Sequence, residues 1–218
     1  MYEYRMIDTV NVWFTSDWHL GHKNILKYED GTRPFASIEE HDEAILQAVA
    51  DTVGENDILY VLGDVCMGDI KKYANRIRDL PGTKMLVSGN HDTCWIGRYP
   101  DDLARLEKER QRYLDAGFRQ VHTGEPGKEW AACYNAPVFH PSVVTVLLSH
   151  FPREGESFDG RDDRYAEYRP LQKMLPILCG HVHSAWKHKS NNVNVGIDVW
   201  GLKPVRVPDV VAYLVKEE

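Results

Sequence analysis

Asp17 and His19, Asp64, the run Asn90-His91-Asp92, His150, and the pair His181 and His183 are the residues of this 218-residue chain whose types and spacing could do chemistry. Neutral imidazoles together with carboxylates suit borderline divalent ions such as Mn, Fe, Ni or Zn, and suit Ca or Mg less well. Seven of these residues are candidate ligands: Asp17, His19, Asp64, Asn90, His150, His181 and His183. One zinc takes four ligands, so seven fit two ions that share a bridging carboxylate. In a two-metal site the ions stand roughly 3.5–4 Å apart and stabilise both the attacking and the leaving oxygen of an in-line displacement. Charge agrees with that chemistry. Two divalent ions outweigh Asp17, Asp64 and a bridging hydroxide by one positive charge, which attracts a phosphate ester.

The elements that must position these residues are an alternation of strand and helix patterns. Thr9 to Thr15 is β-branched and aromatic and predicts a buried strand, with Asp17 and His19 directly after it. Asp57 to Leu62 predicts a second, followed by Asp64, and Lys84 to Val87 a third, followed by Asn90, His91 and Asp92. Val143 to Leu148 leads to His150, and Leu175 to Cys179 leads to His181 and His183. In open α/β sheets ligands bind beyond the carboxyl ends of the strands, so residues this far apart in sequence can meet on one rim. Between the strands, Ser37 and Glu40 form a capping box for a helix running to about Val53. Ile70, Tyr73, Ala74, Ile77 and Leu80 predict a helix ended by Pro81, and Leu103, Leu106, Arg110, Tyr113 and Leu114 another ended at Gly117. Asn192 to Ile197 and Val210 to Val215 read as late strands, while Phe118 to Pro141 carries no clear pattern. Four other histidines, His41, His122, His140 and His188, read as isolated polar or capping residues.

Composition bounds the remaining classes. Hydrophobic residues at 43% and charged residues at 27% are a globular mixture, which excludes a disordered chain, a collagen or a coiled coil. A single domain over residues 1–218 is the expectation. The N-terminus lacks a basic region followed by an apolar one, and no apolar run approaches the roughly 20 residues of a membrane span. The expectation is therefore a cytoplasmic protein without a membrane partner. A net charge of −7 argues against long nucleic acid as a partner. The scattered Cys66, Cys94, Cys133 and Cys179 form no CxxC pair and are expected to be reduced.

The ordered series Asp17-x-His19, Gly63-Asp64, Gly89-Asn90-His91-Asp92, Ser149-His150 and Gly180-His181-Val182-His183 resembles the calcineurin-like metallophosphoesterase superfamily, from about residue 10 to 200. The resemblance implies an α/β fold of two facing mixed β-sheets flanked by helices, with a dinuclear site at one end. Position by position, it implies that Asp17, His19 and His183 hold one metal and that Asn90, His150 and His181 hold the other, with Asp64 bridging. It further implies His91 as general acid and Asp92 as the carboxylate that orients it, and two divalent ions with Mn favoured. The stretch Asp17-Trp18-His19-Leu20-Gly21-His22-Lys23-Asn24-Ile25, with Arg33-Pro34-Phe35, resembles a small bacterial and phage-type subgroup acting on nucleotides, 2′,3′-cyclic ones among them.

Together these imply a metal-dependent phosphodiesterase that attacks small nucleotide-like substrates with a metal-bridging hydroxide, in the host-cell cytoplasm if phage-encoded. The alternatives are a phosphomonoesterase and, from another class, a catalytically silent interaction scaffold. Retention of His91 argues against the scaffold, which has no use for a general acid. Neither a GxxxxGK[ST] phosphate loop nor an HExxH motif is present, and Gly155-x-Ser157 lacks the second glycine of a nucleophile elbow. His22, Asn24 and Arg33 could bind the phosphate or base, or cap a helix beginning near His22. Trp18 and Trp200 could stack on a base or belong to the core. Asp198 follows a strand as the ligands do, but has no partner in the metal pattern.

Overall fold

A chain whose strands are apolar on both faces must bury both, and this one does so between two sheets and a layer of helices. The computed structural model describes residues 10–125, 130–135, 143–153, 164–171 and 175–214. The first sheet contains β1 (Val12–Thr15), β2 (Ile58–Val61), β3 (Thr83–Val87) and β4 (Phe118–His122), all parallel in that order, with β10 (Val205–Arg206) antiparallel outside β1. The second runs β5 (Trp130–Asn135), β6 (Val143–Leu148), β7 (Ile177–Cys179), β9 (Asn192–Asn194), β8 (His188–Lys189), with β6, β7 and β9 parallel and the two edges antiparallel. Both sheets are mixed, as expected.

Alternation along the strands assigns the two cores. Leu59 and Val61 of β2 point to the core shared with the helices, while Tyr60 and Leu62 point between the sheets, where Phe14 and Val87 meet Val146, Leu148, Leu178 and Val193. The helical layer comprises α2 (Ile38–Thr52), α3 (Ala74–Arg78) and α4 (Leu103–Asp115), and a single turn, α1 (Ile25–Tyr28), follows the first metal-type motif. Ser37 caps α2 by accepting from the Glu40 backbone N–H, and the Glu40 carboxylate reaches back to Ala36.

Four expectations change. Val210 to Val215 is not a strand: α5 (Val207–Leu214) packs Val207, Val210, Tyr213 and Leu214 into the gap between the sheets, and Val215 lies outside the described residues. Burial at helical spacing overrides the β preference of its valines there. The predicted helix from Ile70 to Leu80 divides into a 3₁₀ turn, Ile70–Lys72, and α3, because Asp69 caps the first turn on Lys71 and Tyr73 separates the two. The unpatterned region from Phe118 supplies β4 and β5, whereas residues 126–129 and 136–142, His140 among them, lie outside the described residues. Thr9 and the Gly155–Ser157 stretch also lie outside them.

Candidate metal centre

Each parallel strand hands a short loop to the same end of the sandwich. The loops are laced together by the backbone: Asp17 N donates to Gly63 O, His19 N to Asp64 O, and Gly180 N to His150 O, at 2.9–3.0 Å. Their conformations are unusual. Asp17, His19, Asp64, His181 and His183 all have positive φ, between 46° and 71°, and they are five of the eight non-glycine residues with positive φ among those described. Such backbone costs of order 1–3 kcal/mol per residue and persists where the surroundings over-determine it. Glycine is required where two loops touch. A Cβ on Gly89 would collide with the Asp64 carboxylate, and one on Gly180 with Ser16 and Asp17.

The ligand atoms converge. Those of Asp17, His19 and His183 lie within 4.8 Å of one another, and so do those of Asp17, Asp64 and His150. Asp64 Oδ2 is 3.5 Å from His19 Nε2 and 3.4 Å from His150 Nε2. His150 Nε2 is in turn 3.1 Å from Asn90 Oδ1 and 3.2 Å from His181 Nδ1. All seven candidate ligands therefore meet in one cluster, with the Asp17 carboxylate entering both groups. His150 Nδ1 donates to Leu62 O at 2.8 Å, which leaves Nε2 as the face turned inward. His19 Nε2 is buried and finds no hydrogen-bond partner. A buried nitrogen without a partner, facing carboxylates, fits a cation.

Electrostatics follow the geometry. Burial pushes the Asp64 carboxyl upward, but His150 and His19 hold it well below the usual carboxylate range. Burial opposes charge on His150, yet Asp64 raises its pKa to about 9, so a metal entering here must displace that proton. Burial lowers the pKa of His19 well below the ordinary value, which keeps that imidazole neutral.

His91 sits half-buried at the rim, its ring 5.2 Å from that of His19 and its backbone N–H on Asp64 Oδ1 at 2.9 Å. Burial lowers its pKa. Asp92 does not orient it. This fully buried carboxylate accepts from the backbone N–H groups of Asp64, Val65 and Gly89 and from the Tyr113 hydroxyl, at 2.8–3.2 Å, and so clamps the β2 and β3 loops together. Burial and the charge of Asp64 push its pKa up to about 7.

Arg33 is equally removed from any substrate. At 1% exposure its five N–H donors go to Asp198 Oδ1 and Oδ2, Asp17 O, Trp18 O and His41 Nε2. Asp198, set aside on the sequence, is the residue that reasoning missed. It pairs with Arg33 at 2.7 Å and accepts from His183 Nδ1 at 3.2 Å, orienting that imidazole. The signal was available in principle, since a ligating histidine usually donates its second nitrogen to a carboxylate or carbonyl. His41 is a buried link rather than a surface residue, joined to Asp42, which accepts from Gly21 N and the Tyr73 hydroxyl. His22 stands at the rim, Nδ1 to Nδ1 with His19 at 3.4 Å, whereas Asn24 is exposed and makes no capping bond through its side chain. Trp18 is fully buried in the core, and Trp200 donates its Nε1–H to Asn194 O beside Tyr213.

Comparison with known proteins agrees with this geometry. The family model described as Calcineurin-like phosphoesterase matches residues 10–185. The Gene 66 protein of Mycobacterium phage L5 is 31% identical over 222 residues, covering 95% of this chain and 97% of its own. That of Mycobacterium phage D29 is 30% identical over 198 residues, covering 87% and 89%. A solved protein of unknown function from Aquifex aeolicus superposes with a TM-score of 0.63 over 93% of this chain and 98% of its own, and at 23% identity it supports the fold alone.

Proposed function

The chain belongs to the calcineurin-like phosphoesterase family, and from that premise we propose that it hydrolyses phosphodiester bonds of small nucleotide-like substrates, 2′,3′-cyclic nucleotides among them. The observation that carries the reading is the pair of ligand groups joined through Asp17, which suits two divalent ions, with Mn the favoured metal. Bound there, two ions would lower the pKa of a water and draw charge off the phosphoryl oxygens.

The chain's own groups do the rest. Asp17, Asp64, Asn90 and the four histidines His19, His150, His181 and His183 hold the cations in a setting where burial keeps the electrostatics strong. Asp198 and Asp92 hold the ligands in place. His91, at the rim and outside the two ligand groups, is positioned to give a proton to the leaving oxygen; its lowered pKa makes it a stronger acid when protonated. An alkoxide such as a ribose oxygen needs that proton. The acidic chain fits a small substrate better than long nucleic acid, and no described helix is long and apolar enough to cross a membrane. We place the activity in the cytoplasm, the host's for a phage-encoded protein.

The test is a Mn-loaded substrate panel of 2′,3′- and 3′,5′-cyclic nucleotides, dinucleotides, mononucleotides and phosphopeptides. Preference for the diesters is the expected result. Preference for monoesters would instead make the protein a phosphomonoesterase, and undiminished turnover after exhaustive chelation would remove the metal chemistry altogether.

A further inference from the structure

Immediately behind His150 a crevice opens on the side of the centre away from His19. It encloses about 400 Å³, including the part open to solvent, and its wall includes Ser149 and His150 themselves. Two further kinds of group line it. Phe151 and Tyr168 supply aromatic surface, in a cluster with Trp95, whose ring centroid is 4.8 Å from Tyr168 and 5.8 Å from Phe151. Glu125 and Arg169 supply one carboxylate and one guanidinium.

Two donors on this wall are buried and without a partner among the described residues. Ser88 Oγ, on a residue 2% exposed, and Trp95 Nε1, on a residue 6% exposed, make no hydrogen bond. They face the same spot. A Cβ placed on Gly124, which also lines the crevice, would stand 3.1 Å from Trp95 Nε1 and 3.6 Å from Ser88 Oγ. Buried polar groups are ordinarily satisfied, and those that are not mark a place for a ligand or an ordered water.

We propose that this crevice is the subsite for the base of a nucleotide substrate. A nucleobase has an aromatic face and an edge that mixes donors with acceptors, and protein sites read it by stacking and by edge hydrogen bonds. Phe151 and Tyr168 match the face; Ser88, Trp95, Glu125 and Arg169 match the edge. A bare phosphate would not use the aromatic wall or the Glu125 carboxylate. The crevice shares His150 with the centre, so a base held there leaves the attached phosphate beside the ligand cluster. The inference rests on the nucleotide diesterase reading above and adds to it the residues that select the substrate.

The test is calorimetric binding of AMP and CMP against ribose 5-phosphate, which lacks the base, to Mn-loaded protein. The wild type should bind at least one nucleotide about ten- to hundredfold more tightly than ribose 5-phosphate, the range that one base–aromatic stack supplies. Tyr168→Ala should bring that ratio close to one, Tyr168→Phe should keep most of it, and Ser88→Ala should lower it for one base more than for the other. Thermal melting of each variant checks that it folds. A wild-type ratio near one would overturn the subsite while leaving the phosphoesterase reading intact, because both phosphates still bind. A large ratio that none of the variants changes would place the base elsewhere and also overturn it. Failure of all three ligands to bind would remove the nucleotide reading itself.

Discussion

At the scale of single residues, the centre separates groups that hold metal from groups that hold the holders. His91 belongs to neither, since it lies outside both ligand groups. His91→Ala should keep its metal content and lose about 10²–10⁴-fold in rate on nucleotide esters, where the leaving alkoxide needs a proton. On nitrophenyl esters the loss should be much smaller, because nitrophenolate leaves unaided. Equal losses on both substrates with metals in place would take His91 out of the acid role. Asp198→Asn tests a different link. Removing the charge frees the His183 imidazole and leaves Arg33 buried beside a neutral amide, so metal affinity should fall about 10–100-fold. Loss of the buried pair should also cost about 3–5 kcal/mol in denaturant unfolding. An affinity within twofold of wild type would show that Asp198 serves the fold alone. The pH dependence has a definite sign. His150 holds its proton up to about pH 9, and a metal binds only the neutral ring. Apparent metal affinity should therefore drop by about tenfold per pH unit for that proton as pH falls from 9. Titrations at two pH values, in buffers of different ionisation enthalpy, should show the released proton. Affinity independent of pH would contradict the pairing of His150 with Asp64.

At the scale of elements, the ligands were legible because each follows an apolar strand, and parallel strands all deliver their loops to one rim. The fold class was legible for the same reason. What remained hidden depends on contacts made across the chain. The Arg33 guanidinium spans 165 positions to reach Asp198, a pairing that no periodicity signals. Asp92 looked like a partner for its neighbour His91, yet its bonds run to the loop after β2, 27 and 28 positions away. The valines of α5 prefer strand until the gap between the sheets is there to receive them. Element geometry makes its own prediction at Gly89. Gly89→Ala pushes a methyl group into the Asp64 carboxylate where the β2 and β3 loops meet, so metal content and activity should fall together while the far-ultraviolet spectrum is unchanged. Full metal content in that variant would mean the loops can part, and that their close approach does not set the site.

At the scale of the whole molecule, the ligands come from both sheets, since Asp17, His19, Asp64 and Asn90 follow strands of the first and His150, His181 and His183 follow strands of the second. The Arg33–Asp198 pair crosses the same divide. Metal binding is thereby binding to the folded sandwich and to no shorter piece of it. Stability should rise with free Mn, by about 2.7 kcal/mol when the ion stands at a hundred times its Kd. The measurement that bears most directly on the dinuclear phosphoesterase assignment is metal stoichiometry by mass spectrometry, read beside diesterase turnover, for wild type, Asp17→Ala, Asp64→Ala and His91→Ala. Two ions per chain in wild type and in His91→Ala, with loss of metal and of turnover together in Asp64→Ala and a lesser loss in Asp17→Ala, is the predicted result. Two ions and undiminished turnover in Asp64→Ala, or turnover in a wild type stripped of metal, would contradict it.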